Sequence, residues 1–193
     1  LFLFIIVFIA GAGAAAGFFL SVSSGLPDIS ANIAPDASSR IYDAKGRLIT
    51  TVHAEENRLP VSIDEVPANL QNAFIAVEDN RYYEHHGVDP LGIIRAGSWN
   101  IISGDATAQG GSTFTQQLAR NACLSQEQTL KRKMLEAFLA LKIERQYTKK
   151  EILEMYMNQI YFGQGCYGIQ TASKVYFGKD VKDLSLAQCA LIA

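Results

Sequence analysis

Between Met134 and Ile143 the chain reads MLEAFLALKI, and eight of these ten residues are apolar. A helix that is apolar nearly all round is buried. The segment lies within the longest predicted helix, Glu127 to Tyr147, so the rest of the domain has to enclose it. It also carries Glu136, one turn from Leu139 and Ala140. An ionised carboxylate in such a place is costly unless it is paired. Arg132 and Lys133 stand one turn before it, at i−4 and i−3. The arrangement reads either as a structural ion pair or as a carboxylate–cation cluster at the wall of a cleft.

The remaining sequence sets the context. At 193 residues the chain is long enough for one domain with a real core. Its formal net charge of −2 gives no reason to expect binding to nucleic acid or anionic lipid through global charge. Charge is unevenly spread, and none occurs from Leu1 to Pro27. Leu1 to Leu20 is an apolar run whose length as a helix, roughly 30 Å, matches the hydrocarbon thickness. Residues 1–27 therefore read as a transmembrane helix and its exit. The alternative is a cleaved signal peptide, but the run exceeds the ~7–15 residues of a signal core. No basic residue precedes it, so the sequence reads as trimmed at its N-terminus. Residues 28–60 read as a linker carrying a small β-hairpin, with Arg40-Ile41-Tyr42 and Leu48 to Val52 flanking Asp43-Ala44-Lys45-Gly46. Cys123, Cys166 and Cys189 are odd in number and lack C-x-x-C spacing, so buried free thiols are expected.

Residues 61–193 read as helical. Leu70, Phe74 and Val77 form an apolar stripe. Asp89-Pro90 looks like the N-cap and first residue of a helix running to about Ile102. Its Leu91, Ile93, Ile94, Trp99, Ile101 and Ile102 are apolar enough to be core, with a membrane interface as the sharper alternative. Gly110-Gly111-Ser112-Thr113 breaks into a helical stretch from Phe114 to Leu124. Thr148-x-x-Glu151 and Ser185-x-x-Gln188 have capping-box spacing, and Gly163, Gly165 and Gly168 mark a loop. The second box lies so near Ala193 that the C-terminus also reads as truncated.

Chemistry concentrates in Ala76 to Gly87, AVEDNRYYEHHG. Glu78, Tyr82 and His85 are spaced i, i+4 and i+7, so on a helix they would line one face. Like charges as close as Glu78 and Asp79 disfavour double ionisation, and a carboxylate held near neutrality can act as a general base. The bland alternative is an exposed pair at a helix end, with Asp79 capping and Glu78 solvated. His85 and His86 are adjacent and no H-x-x-x-H occurs, so metal ligation is weakly supported. Lys131, Arg132 and Lys133, with Arg81 and Arg120, form either an anion site suited to pyrophosphate or a solvated patch. Cations are unfavourable near a helix N-terminus, which argues mildly for the site. Gly110 to Thr113 is a possible anion cradle but lacks the G-K-[ST] of a nucleotide loop. Thr113, Gln116, Gln117 and Arg120 form one polar stripe, either a solvated face or a sugar-binding wall.

These residues also match a known family. ED-x-x-[FY]-x-x-H-x-G at Glu78 to Gly87 resembles the first motif of bacterial peptidoglycan glycosyltransferases, glycosyltransferase family 51. GGSTFTQQLARN at Gly110 to Asn121 resembles the second. Arg132-Lys133-x-x-Glu136, followed by Glu151-Ile152-Leu153 and Tyr156-Met157-Asn158, resembles the third. Gly163 to Ile169 with Tyr176-Phe177-Gly178-Lys179 resembles the fourth, and Leu184 to Ala193 the fifth, cut short. Tyr82 stands where Phe is usual, and Gln188 where Glu is usual.

The resemblance implies a mainly α, lysozyme-like fold over residues 61–193. It implies polymerisation of lipid II onto a nascent glycan strand, with a β-1,4 bond, inversion and release of undecaprenyl pyrophosphate. Carried over, Glu78 and Glu136 are catalytic: Glu78 is the general base, and Glu136 with Lys133 assists departure of the pyrophosphate. Asp79, Tyr82, His85, Ser112, Thr113, Gln117, Arg120 and Arg132 would bind substrate. No cofactor is required and no metal ligand set is present, though a divalent ion, Mg or Mn, would be compatible. The expected setting is the outer face of the bacterial cytoplasmic membrane on a single-pass anchor, with Leu91 to Ile102 dipping into the leaflet. RIYDAKGRLI resembles the segment before this domain in class A penicillin-binding proteins, which add a C-terminal transpeptidase. No Ser-x-x-Lys occurs here, and a monofunctional transglycosylase is the alternative parent. A lysozyme-like hydrolase would also use two carboxylates, but would not need the basic cluster. A non-catalytic membrane scaffold would need neither carboxylate.

Overall fold

The computed structural model describes residues 39–52, 57–104, 110–123 and 129–193. The expected anchor at residues 1–27 lies outside the described residues, and none of the described helices is long and apolar enough to cross a membrane. The chain is mainly helical. β1 (Ser39–Tyr42) pairs antiparallel with β2 (Leu48–Val52). Asp43 closes the turn between them, its Oδ1 accepting from the backbone N–H groups of Lys45 and Arg47.

The helical body begins at β3 (Asn57–Arg58), which lies parallel to β4 (Cys166–Tyr167). Asn158 extends this contact as a backbone mimic: Val61 N–H donates to its Oδ1 and its Nδ2 donates to the Val61 carbonyl, at 3.0 and 2.8 Å. Seven α-helices follow among the described residues: α1 (Ala68–Glu78), α2 (Pro90–Ser103), α3 (Phe114–Cys123), α4 (Leu130–Gln146), α5 (Lys149–Gln159), α6 (Ile169–Phe177) and α7 (Leu186–Ile192).

α3 packs on both α4 and α5, and α1 packs on α7. The core between them holds Leu70 and Phe74 of α1, Leu118 of α3, Leu139 and Ile143 of α4, and Tyr156 of α5. Each such side chain contributes roughly 1.5–3 kcal/mol by leaving water. α4 starts at Thr129, whose hydroxyl accepts from Arg132 N–H, and it is not enclosed all round. Glu136, Leu139, Ala140 and Ile143 face inward, while Leu141 is 41% exposed.

Two apolar expectations are corrected. Val77 does not continue the buried stripe of Leu70 and Phe74: it is 68% exposed beside the cleft described below. The apolar residues of α2 are not core. Leu91, Ile93, Ile94, Trp99, Ile101 and Ile102 are all exposed, and only Gly92 and Ala96 are buried. The small face of α2 is the one that packs, because Gly111 comes so close that a Cβ there would meet Ile93 Cα at 3.1 Å. Cys166 and Cys189 are buried free thiols whose pKa burial raises. The Cys123 side chain lies outside the description.

Candidate active site

The C-terminal end of α1, the first turns of α2 and α3, and the Gly110–Thr113 loop surround a cleft of about 450 Å³. Glu78 is the last residue of α1 and is exposed on its wall. Gln117 of α3 donates from Nε2 to Glu78 Oε2 at 3.0 Å. Arg120, one turn further along α3, lines the same cleft.

Asp79, the neighbour of Glu78, turns the other way. It is 7% exposed, and both its oxygens lie on His85 Nε2, at 2.9 and 3.0 Å. Its Oδ2 also accepts the backbone N–H of Phe114 at 3.0 Å. That N–H is one of the unpaired donors at the start of α3, where the helix dipole favours negative charge. Asp79 thus caps a helix that begins 35 residues later in the chain. The two carboxylates are held differently: Glu78 is exposed on the cleft wall, while the Asp79 oxygens, at the cleft's edge, are committed to His85 and the start of α3.

The Gly110–Thr113 loop faces Glu78 across the cleft. Thr113 ends it as the N-cap of α3. Its hydroxyl accepts from Gln116 N–H and donates to the Gly87 carbonyl, and Gln116 Oε1 accepts from Thr113 N–H. Thr113 and Gln116 therefore form a reciprocal cap; of the two, Thr113 lines the cleft. T-x-x-Q at this position was the sequence signal for the cap.

Ser112 connects the loop to the second carboxylate. Lys133 Nζ donates to Ser112 Oγ at 2.6 Å and to Glu136 Oε2 at 3.0 Å. Glu136 is fully buried, so it does not itself line the cleft; the lysine does the reaching. Arg132 Nε approaches Glu136 Oε1 at 3.4 Å, and both atoms are buried without a hydrogen-bond partner. The pair is close enough for charge attraction, yet Glu136 is satisfied on one oxygen only.

Tyr82 and His85 lie beneath the cleft rather than in its lining. Tyr82 is fully buried, with its ring against Phe114 at 5.2 Å and its hydroxyl donating to the Lys149 carbonyl at 2.5 Å. Burial pushes its phenol pKa far up, so it stays a donor. His85 holds Asp79, and its Nδ1 is buried without a partner. Both are supports, because the Tyr82 hydroxyl and His85 Nε2 are committed inside the protein.

The five cations are not gathered into one cluster. Arg81 is taken by Glu84 at 3.0 Å and by Asp89 at 3.6 Å, and Lys131 is exposed. Lys133 and Arg120 are the two whose partners or position belong to the cleft.

Sequence reasoning passed over Asn80, Asp89 and Arg95, which also line the cleft. Asp89 makes no side-chain capping bond to α2. Its carboxylate sits instead over Gly92, where a Cβ would lie 2.4 Å from Asp89 Oδ2. An Asp before a Pro reads as a cap, and only the missing Cβ three residues on hints otherwise. Among the described residues, no group of three His, Cys, Asp or Glu side chains could hold a metal ion.

A family model described as Transglycosylase matches residues 45–193. Penicillin-binding protein 1A of Escherichia coli (strain K12) is 49% identical over 185 residues, which cover 95% of this chain and 22% of that protein. Penicillin-binding protein 1F of Bacillus subtilis (strain 168) is 50% identical over 157 residues, covering 81% of this chain and 22% of the relative. Among solved structures, penicillin-binding protein 1A from Haemophilus influenzae overlaps 82% of this chain and 14% of its own at 25% identity, with a TM-score of 0.38. The chain thus spans 22% of the length of each of these two curated relatives. The matched region takes in every cleft residue and the Lys133–Glu136 pair, and the chain belongs to the transglycosylase family.

Proposed function

We propose that this chain is a peptidoglycan glycosyltransferase of cell-wall synthesis. It joins lipid II to a growing glycan strand through a β-1,4 bond, with inversion, and releases undecaprenyl pyrophosphate. The observation that carries this reading is that one cleft holds both an exposed carboxylate, Glu78, and a glycine loop tied to a lysine, Ser112–Lys133. A hydroxyl nucleophile needs a base, and a pyrophosphate leaving group needs positive charge and N–H donors.

In this mechanism Glu78 takes the proton from the acceptor 4-hydroxyl. The oxygen then attacks C1 of the donor sugar. The bond from C1 to the pyrophosphate oxygen breaks, and its electron pair leaves with the pyrophosphate. Lys133 and Arg120 offset the charge that develops there. Glu136 acts through Lys133, holding the ammonium group toward Ser112. A divalent ion such as Mg or Mn could be held by the pyrophosphate with only one or two protein carboxylates, and adding a chelator tests whether either ion aids the reaction.

The same reading gives the domain a lysozyme-like fold, a single-pass anchor at residues 1–27 and a place on the outer face of the cytoplasmic membrane. Residues 91–102 of α2 would lie in the leaflet, and a transpeptidase domain would follow in the full-length protein. The test is to add lipid II to the chain in detergent and separate the products on a gel. A ladder of glycan strands is expected. Clearing of purified sacculi with no ladder would overturn the proposal in favour of a hydrolase.

A further inference from the structure

Tyr156 of α5 is 1% exposed. Its ring packs edge-on against Phe74 at 6.3 Å and lies 4.4 Å from Phe114. A phenylalanine would fill that space equally well, so the hydroxyl needs its own reason. It donates to Gln117 Oε1 at 3.4 Å, and Gln117 Nε2 in turn donates to Glu78 Oε2 at 3.0 Å. Three helices thus meet in one chain of donors that ends on the cleft carboxylate.

A glutamine amide has a donor end and an acceptor end of nearly the same shape. Its orientation is decided by what stands at each end. A phenol proton directed at Oε1 leaves Nε2 for Glu78. Without that proton the amide is free to turn its oxygen toward the carboxylate, which penalises the charged form. We infer that Tyr156 is a positioning residue for the base: it fixes the polarity of Gln117 so that an N–H meets Glu78. The inference rests on the reading of Glu78 as the base.

The phenol is suited to the task. Burial first, and then the nearby Glu78, push its pKa far above the ordinary tyrosine value, so it remains a donor through the working pH range. The other groups around Glu78 are accounted for. Asp79, next to it on the chain, is turned onto His85. Arg120 lies on α3, and Arg95 of α2 donates to Asn80. Lys133 reaches the opposite loop through Ser112.

The test is Tyr156→Phe in the full chain, with kcat and KM for lipid II measured across pH. The ring is kept, and the freed Gln117 oxygen can rotate, so the melting temperature serves as the check on folding. The acid limb of the pH–rate profile is expected to move up by at most about half a pH unit, because the bond that is lost is long, at 3.4 Å, and acts on Glu78 only through Gln117. The loss falls on kcat, with KM little changed. In a Gln117→Leu background, which has no amide to orient, Tyr156→Phe is expected to move the limb no further. A uniform fall in rate with an unmoved limb, or an equal shift in both backgrounds, would overturn the inference. Glu78→Gln separates it from the reading it rests on. An inert Glu78→Gln with an unmoved limb in Tyr156→Phe refutes the inference alone, whereas an active Glu78→Gln refutes both.

Discussion

Glu78 and Glu136 each accept a hydrogen bond from one side-chain nitrogen, yet one is exposed and the other fully buried. That difference suits different tasks. Glu78 can meet a substrate hydroxyl, while Glu136 can act only through what it holds. Lys133→Met removes its one hydrogen-bond partner and leaves Arg132 at 3.4 Å. It is expected to destabilise the protein by about 1–3 kcal/mol, less than for a wholly buried pair because the lysine side chain is 46% exposed. Urea denaturation measures this, and an unchanged midpoint would show that Glu136 does not depend on Lys133. The Lys133–Glu136 pair was legible in the sequence, because i, i+3 spacing in an apolar helix leaves a carboxylate few partners. The turning of Asp79 away from Glu78 was not. Its partners are His85 and the Phe114 N–H, and the second contact spans 35 residues that no local spacing reports.

Helix starts were the most readable elements, because caps are local chemistry. Both capping boxes, Thr148–Glu151 and Ser185–Gln188, are present. The Thr148 N–H, and then its hydroxyl, hold the Glu151 carboxyl below the usual carboxylate range. A carboxyl depressed in the folded state contributes stability that is present above its unfolded value and lost as pH falls through the folded one. Glu151→Gln is therefore expected to lower the melting temperature above about pH 5, and the effect is expected to fade as pH falls through the depressed folded-state value. A difference that persists in acid would show that the ionised form is not what the cap uses. The faces of helices were less readable. α2 is apolar enough for a core, and periodicity alone cannot say whether protein or another apolar phase covers it. The close approach of Gly111 to Ile93 and Ala96 decides which face the protein takes.

For the whole molecule, the fold places an exposed apolar helix beside a polar cleft. α2 carries Trp99, 56% exposed and the single tryptophan of the chain. If that helix meets a bilayer, Trp99 fluorescence shifts to shorter wavelength when lipid vesicles are added, and Ile101→Ser with Ile102→Ser weakens the shift. An emission maximum that vesicles leave unmoved would argue against membrane contact by α2. The central claim concerns the carboxylate at the other side of the same cleft. It is tested most directly by Glu78→Gln, which keeps the shape of the side chain and removes its basicity. The account expects no glycan ladder from lipid II and a melting temperature equal to that of the unaltered chain. A ladder of near-normal yield from that variant would contradict it.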